Sequence, residues 1–219
     1  MTPPRKAAAT RKSRPPGQGR KPAISRQDVV DAALKLLGPH RSVATLSLRE
    51  VARAANIAPN SFYRQFKSID DLAVALIEQA GESLRDIIWK ARSRITEGES
   101  VIRTSVETFL QQLQSDQHYL HLLLREGAVG SAAFKHAVER QLEFFEKELQ
   151  IDLIRLASAS KTPIHNADLV SRAITRLVFS MATSAVELPA TLHPKLIDDT
   201  TEMINMIMVG TQTLAQSQK

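Results

Sequence analysis

One stretch constrains this chain more than any other: Ser47 to Lys67, SLREVARAANIAPNSFYRQFK, where two short helical periods are separated by a tight turn. Ser47 and Glu50 have the spacing of a capping box, so a helix starts at Leu48 with Leu48, Val51, Ala52 and Ala55 facing inward. Asn56 stands where a left-handed turn residue is wanted, and Pro59 suits the first position of a following helix, Ala58 to Phe66. Leu48, Val51, Ala52, Ile57, Phe62 and Phe66 can then form a small apolar centre, which leaves Asn60, Ser61, Tyr63, Arg64 and Lys67 outside. Asn and Ser can meet base edges, while Tyr, Arg and Lys can hold phosphates. The pattern predicts a helix-turn-helix that reads double-stranded DNA, with Ser47 and Arg49 joining those five as candidate contacts. An αα-hairpin with a merely solvated face is the competing reading, and an exposed Tyr between polar and basic neighbours fits it poorly.

The charge distribution agrees. Over residues 1–67, 14 Lys or Arg stand against three carboxylates, a net +11, whereas 15 stand against 20 over the rest, a net −5. A basic first third on a mildly acidic body is the footprint of a head that displaces counterions from phosphates.

Eight glycines, two tyrosines and an abundance of Leu, Ala, Glu, Arg and Gln favour helix over sheet, so the expected fold is all-α. A three-helix DNA-binding domain stands ahead of a larger helical ligand-binding and dimerisation domain. Residues 1–24, rich in Pro, Gly and basic side chains, are expected to be a disordered tail. The DNA-binding domain occupies 25–67, opening on a Ser25–Asp28 capping box and a first helix that Gly38 and Pro39 stop. The helical body occupies 68–219, beginning with a third box, Ser68-Ile-Asp-Asp, and a long helix to about Ile95, before a break at Gly98. Further helices are expected over 100–114, 116–125, 130–157, 166–188 and 193–216, with breaks at Gly127 and Gly130, Ser158 to Pro163, and Pro189 to Pro194.

The absence of cysteine removes disulfides, thiolate metal sites and cysteine nucleophiles, and suits a reducing cytoplasm. No apolar run is expected to reach the roughly 20 residues of a membrane span. His118 and His121 share a helix face, but only Asp116 and Glu126 lie near them, so they read as a surface pair and no metal is expected. No nucleophile elbow, glycine-rich phosphate loop or HExxH motif is present, no cofactor is implied, and an enzyme is the class with the least support.

Leu48-Arg-Glu-Val-Ala, Ala55-Asn-Ile-Ala-Pro-Asn-Ser-Phe-Tyr-Arg-Gln-Phe and Asp70-Asp-Leu together closely resemble the DNA-binding domain of the TetR family of bacterial regulators. That family usually has Gly where Asn56 stands, and Asn tolerates the same positive φ. Thr45-Leu-Ser-Leu-Arg-Glu-Val-Ala-Arg, Ile57-Ala-Pro-Asn-Ser-Phe-Tyr-Arg, Val101-Ile-Arg-Thr-Ser-Val, Leu122-Leu-Leu-Arg-Glu and Ser131-Ala-Ala-Phe are also similar to the FabR/DesT group of fatty-acid unsaturation regulators. The resemblance implies a homodimeric repressor on an inverted-repeat operator. Long-chain acyl-CoA would modulate its DNA affinity, and it would control unsaturated fatty-acid or desaturase genes. It also implies that Leu84, Ile88, Trp89, Phe109, Leu110, Leu113, Phe134, Leu142, Phe145 and Phe179 surround an acyl-chain tunnel, with Arg103, Arg125 and Lys135 available to coenzyme A phosphates.

Continuous apolar stripes in the last two helices, Leu169 to Ala185 and Leu196 to Leu214, suit either a monomer core or a four-helix interface between two subunits. Two alternatives stand beside the acyl-CoA reading. A TetR-like repressor of drug efflux would place carboxylates among the pocket aromatics, and the candidates above contain none. A non-specific chromosome-binding protein would rely on the basic tail alone.

Overall fold

The computed structural model describes residues 24–37, 41–92, 100–111 and 119–217, and among them regular structure is helical throughout. Residues 1–23 of the tail, the Gly38-Pro39 stop, the Gly98 break and His118 lie outside the described residues. The helices are α1 (Arg26–Leu37), α2 (Leu48–Ala54), α3 (Pro59–Phe62), α4 (Ile69–Arg92), α5 (Val101–Gln111), α6 (Tyr119–Val129), α7 (Ala132–Ser160), α8 (Ala167–Glu187) and α9 (His193–Ser217). Two 3₁₀ turns, Val43–Thr45 and Ala190–Leu192, precede α2 and α9.

Local chemistry sets most of the starts. At α1, Asp28 Oδ2 accepts from the Ser25 amide at 2.8 Å while the Asp28 amide donates back to Ser25 Oγ at 3.1 Å. At α2 the box is complete between Ser47 and Glu50. At α4 only half of the expected box forms: the Asp71 amide donates to Ser68 Oγ, but Asp71 Oδ2 takes the amide of Lys67 instead of that of Ser68. Ser131 caps α7 and Asn166 caps α8.

Two expected boundaries shift, the end of the third helix and the break at Gly127, while those at Gly130 and between Ser158 and Pro163 hold. The third helix, expected over 58–66, is regular only over Pro59–Phe62, because Ser61, Arg64 and Gln65 amides bond three residues back and tighten the chain into turns. Gly127 does not interrupt α6: it sits where α6 meets α7, and a Cβ there would lie 3.2 Å from Val138 Cγ1. The chain turns at Gly130, where a Cβ would lie 2.9 Å from Phe134 Cβ and run into the Glu126 carbonyl. α7 then continues to Ser160, ending on Lys161 at φ 53°.

A single apolar core runs from Val29 in α1 to Ile204 in α9. α4 is its spine. Leu72, Leu76, Ile77 and Leu84 are fully buried on it, and it packs against α1, α5, α6 and α7. Burial of side chains this size contributes roughly 1.5–3 kcal/mol each. α7, α8 and α9 close the other side, with α8 lying between its two neighbours. Contrary to the expectation that no run reaches membrane-spanning length, Ala167–Val186 of α8 does so by length and mean hydropathy of 1.2. It carries Arg172 and Arg176 and buries Val170, Ile174, Phe179, Ala182 and Ala185 in the core, as a packed amphipathic helix does.

Candidate DNA-reading face and apolar cavity

The α2–α3 unit is built on two aromatic anchors. Phe62 and Phe66 are buried with ring centroids 5.7 Å apart, and Val51, Ala52 and Val43 complete their surroundings in the core. Asn56 has φ 54°, the left-handed conformation the turn requires, and its amide donates to the Arg53 carbonyl. Arg26 lies over the Phe66 ring at 4.2 Å, a contact between α1 and the end of the reading segment that no local pattern announces. Gln65 Nε2 donates to the Ile24 carbonyl at 2.9 Å, so the chain enters the head beside the same segment.

On this base Arg49, Asn60, Tyr63, Arg64 and Lys67 are exposed and Ser61 is half-buried. Five of the seven expected DNA contacts are thus open side chains, and a sixth, Ser61, is partly covered. The seventh, Ser47, is exposed but occupied: its hydroxyl donates to Glu50 Oε2 at 2.9 Å and accepts from the Glu50 amide at 3.3 Å. Its first role is the helix cap. Hydrogen bonds from Ser47 and then Arg41 hold the Glu50 carboxyl below the usual glutamate range. A lowered folded-state pKa contributes stability above the ordinary glutamate value, and that contribution disappears as pH falls through the depressed value.

The body contains an apolar cavity of about 290 Å³ between α4, α5, α7, α8 and α9. Phe109, Phe145 and Phe179 converge there, Phe179 lying 4.8 Å from Phe109 and 5.5 Å from Phe145 between ring centroids. With Ile88 they are the sequence candidates that line it. The other candidates are placed differently. Leu84, Leu110, Phe134 and Leu142 are buried in the surrounding core, off the cavity wall. Trp89 is 66% exposed, because it falls on the side of α4 opposite the packed residues. Leu113 lies outside the described residues.

The basic candidates are also away from the cavity. Arg103 pairs with Asp198 at 2.8 Å and Glu107 at 2.7 Å, Asp198 first among the partners that raise its pKa. Arg125 is half-buried, and desolvation lowers its pKa. Lys135 is exposed on α7. The polar side chains that do reach the wall, Ser105, Thr175, Asp152 and Arg155, were not singled out by sequence. Asp152 and Arg155 form a 2.9 Å ion pair one turn apart on α7, so the wall contains a carboxylate after all. Their i,i+3 spacing was visible, but which face of α7 opens on a cavity depends on α5 and α8. Among the described residues no three His, Asp or Glu side chains gather as a metal site.

Residues 29–76 match the profile of the bacterial regulatory proteins of the tetR family. The whole fold is similar to a transcriptional regulator from Rhodococcus sp. Rha1, at 17% identity and TM-score 0.63 over 86% of this chain and 98% of that one. It is similar to the multidrug binding protein EbrR complexed with imidazole, at 18% identity and TM-score 0.61 over 84% and 94%. RolR in complex with resorcinol aligns at 16% identity and TM-score 0.59 over 87% and 92%. Residues 29–76 thus carry the match to the tetR family, and the all-helical body behind them shares the fold of these solved structures.

Proposed function

We propose that the chain acts in the cytoplasm as a homodimeric repressor on an inverted-repeat operator, its DNA affinity set by a long-chain acyl-CoA whose acyl chain enters the α4–α9 cavity, and that it controls unsaturated fatty-acid or desaturase genes. The observation that carries the DNA half is the exposed Asn60, Tyr63, Arg64 and Lys67 on a segment anchored by buried Phe62 and Phe66. Two such segments must sit about one helical turn, ~34 Å, apart to read two half-sites, which requires two subunits. An apolar cavity near the lower end of the ~300–1,000 Å³ usual for ligand sites supports an aliphatic guest.

α4 connects the two functions. Leu72 and Leu76 belong to the core beneath the head, and Ile88, about 24 Å further along the helix axis than Leu72, lines the cavity. A guest that fills the cavity differently in two dimer states shifts their populations only by its difference in affinity for them. Straight and kinked acyl chains would press on Ile88 and Phe145 differently, and α4 would carry that tilt to the heads.

One observation favours a second reading, a repressor responding to a planar or cationic drug-like compound. Three Phe rings and the Asp152 carboxylate share the wall. Arg155 neutralises that carboxylate, which leaves an aliphatic guest better matched. Native mass spectrometry of the protein purified from cells separates the two: a dimer carrying acyl-CoA mass is expected, and a dimer carrying an aromatic or cationic compound replaces the first reading with the second.

A further inference from the structure

Among the described residues, Glu126 is the one acidic or basic side chain in the fully buried class, with no exposed surface. It sits on α6, in the body, but its partners are in the head. Oε1 accepts from the Ser42 hydroxyl and from the Val43 amide, both at 2.9 Å. Ser42 is the N-cap of the 3₁₀ turn that leads into α2. From there a relay of hydrogen bonds continues: the Ser42 carbonyl accepts from the Thr45 hydroxyl at 2.7 Å, and Arg41 donates both to Thr45 and to Glu50. Glu50 is the reciprocal partner of Ser47 at the start of α2. A body residue thus reaches, through four side chains, the cap of the first helix of the reading unit.

The other carboxyl oxygen, Oε2, is buried without a hydrogen-bond partner. Packing alone does not favour such a group, since an apolar side chain of similar size would avoid the cost of an unmade hydrogen bond. The corner between α6 and α7 nevertheless confines it, for a Cβ on Gly130 would lie 3.1 Å from Oε2.

We infer that Glu126 is a positioning residue, the second point besides α4 at which the body fixes the orientation of the DNA-reading head. On α4 the head rests through α1 and the 3₁₀ turn. The Glu126 bonds add a polar tie from α6 to that 3₁₀ turn, 83 and 84 residues away in sequence. Movement of α6 against α4 would therefore reset the head.

Hydrogen exchange on the full chain tests this without any ligand. In Glu126→Ala, amides of residues 43–51 should exchange on the order of tenfold faster while those of α7 and α8 keep their rates, because only the local opening of the head is eased. Ser42→Ala, which leaves the body untouched, should act in the same direction, and the double variant should be no worse than the more affected single one. Glu126→Gln retains an acceptor for both head donors and should restore near-normal rates. Equal acceleration in α7 and α8, or additive single effects, would overturn the inference and leave Glu126 an ordinary core residue. If Glu126→Ala does not fold, Ser42→Ala and Glu126→Gln decide the matter alone. The inference rests on the operator-binding reading only in its functional consequence: Glu126→Ala should weaken operator binding at least about fivefold with an unchanged salt slope, since no phosphate contact is lost. Absence of any operator binding in the parent chain would count against that reading while leaving the exchange result to judge the tie.

Discussion

Phe62→Ala is expected to destabilise the fold by about 3–5 kcal/mol and to abolish operator binding, the largest loss any single truncation in the head should cause. Phe62 is fully buried, makes an edge contact with the Tyr63 ring at a centroid distance of 5.8 Å, and packs against Phe66. Its helix has only four regular residues and no side-chain cap at Ala58, so little besides this anchor keeps Asn60, Tyr63 and Arg64 in register. An isolated helix this short is far below the length that holds itself together in water. Urea denaturation monitored by circular dichroism measures the loss. A midpoint unchanged from the parent, with operator affinity retained, would mean that the reading segment is held by something other than its aromatic base.

Val209→Asp should leave the subunit folded and break the proposed dimer. Met206, Val209 and Leu214 are large apolar residues left open on α9, at 62%, 62% and 53% exposure, and Gly210 between them has empty space where a Cβ would stand. Positions 206, 209, 210, 213 and 214 follow the i, i+3, i+4, i+7, i+8 spacing of one helix stripe. A stripe of this kind facing water is the sort of surface a second subunit covers, and an aspartate there would be buried without a partner. Because Val209 is exposed in the single subunit, the substitution removes little from the monomer core. Sedimentation should show the mass of one subunit at concentrations where the parent shows two. Operator affinity should fall by about 10²–10⁴-fold, the usual gain from linking two reading heads. A dimer that survives the change would move the interface elsewhere.

How much of this was legible in the sequence follows from the range of the interactions. The caps at Ser25, Ser47 and Ser131, the left-handed Asn56 and the proline opening α3 are decided within four residues, and a sequence displays them directly. Gly127 misled because its reason for being glycine is Val138 on the next helix, not its own backbone. The aromatic wall was partly legible: Phe109, Phe145 and Phe179 lie on apolar faces, as do Leu110 and Leu142, but only packing decides which of them meet an empty space. Asp152 and Arg155 look like a surface pair until α5 and α8 are in place. Glu126 was seen as a possible neighbour of two histidines and as the end of a resembled motif, never as a tie to the head, since its partners lie more than 80 residues away.

The most direct test of the central claim is a binding titration of the full chain on an operator selected from random duplexes, run without ligand, with palmitoyl-CoA and with oleoyl-CoA. The account predicts one protected site with two half-sites about one helical turn apart, and an affinity that differs between the saturated and unsaturated thioesters. Protection spread evenly along any duplex, or the same affinity under all three conditions, would contradict it.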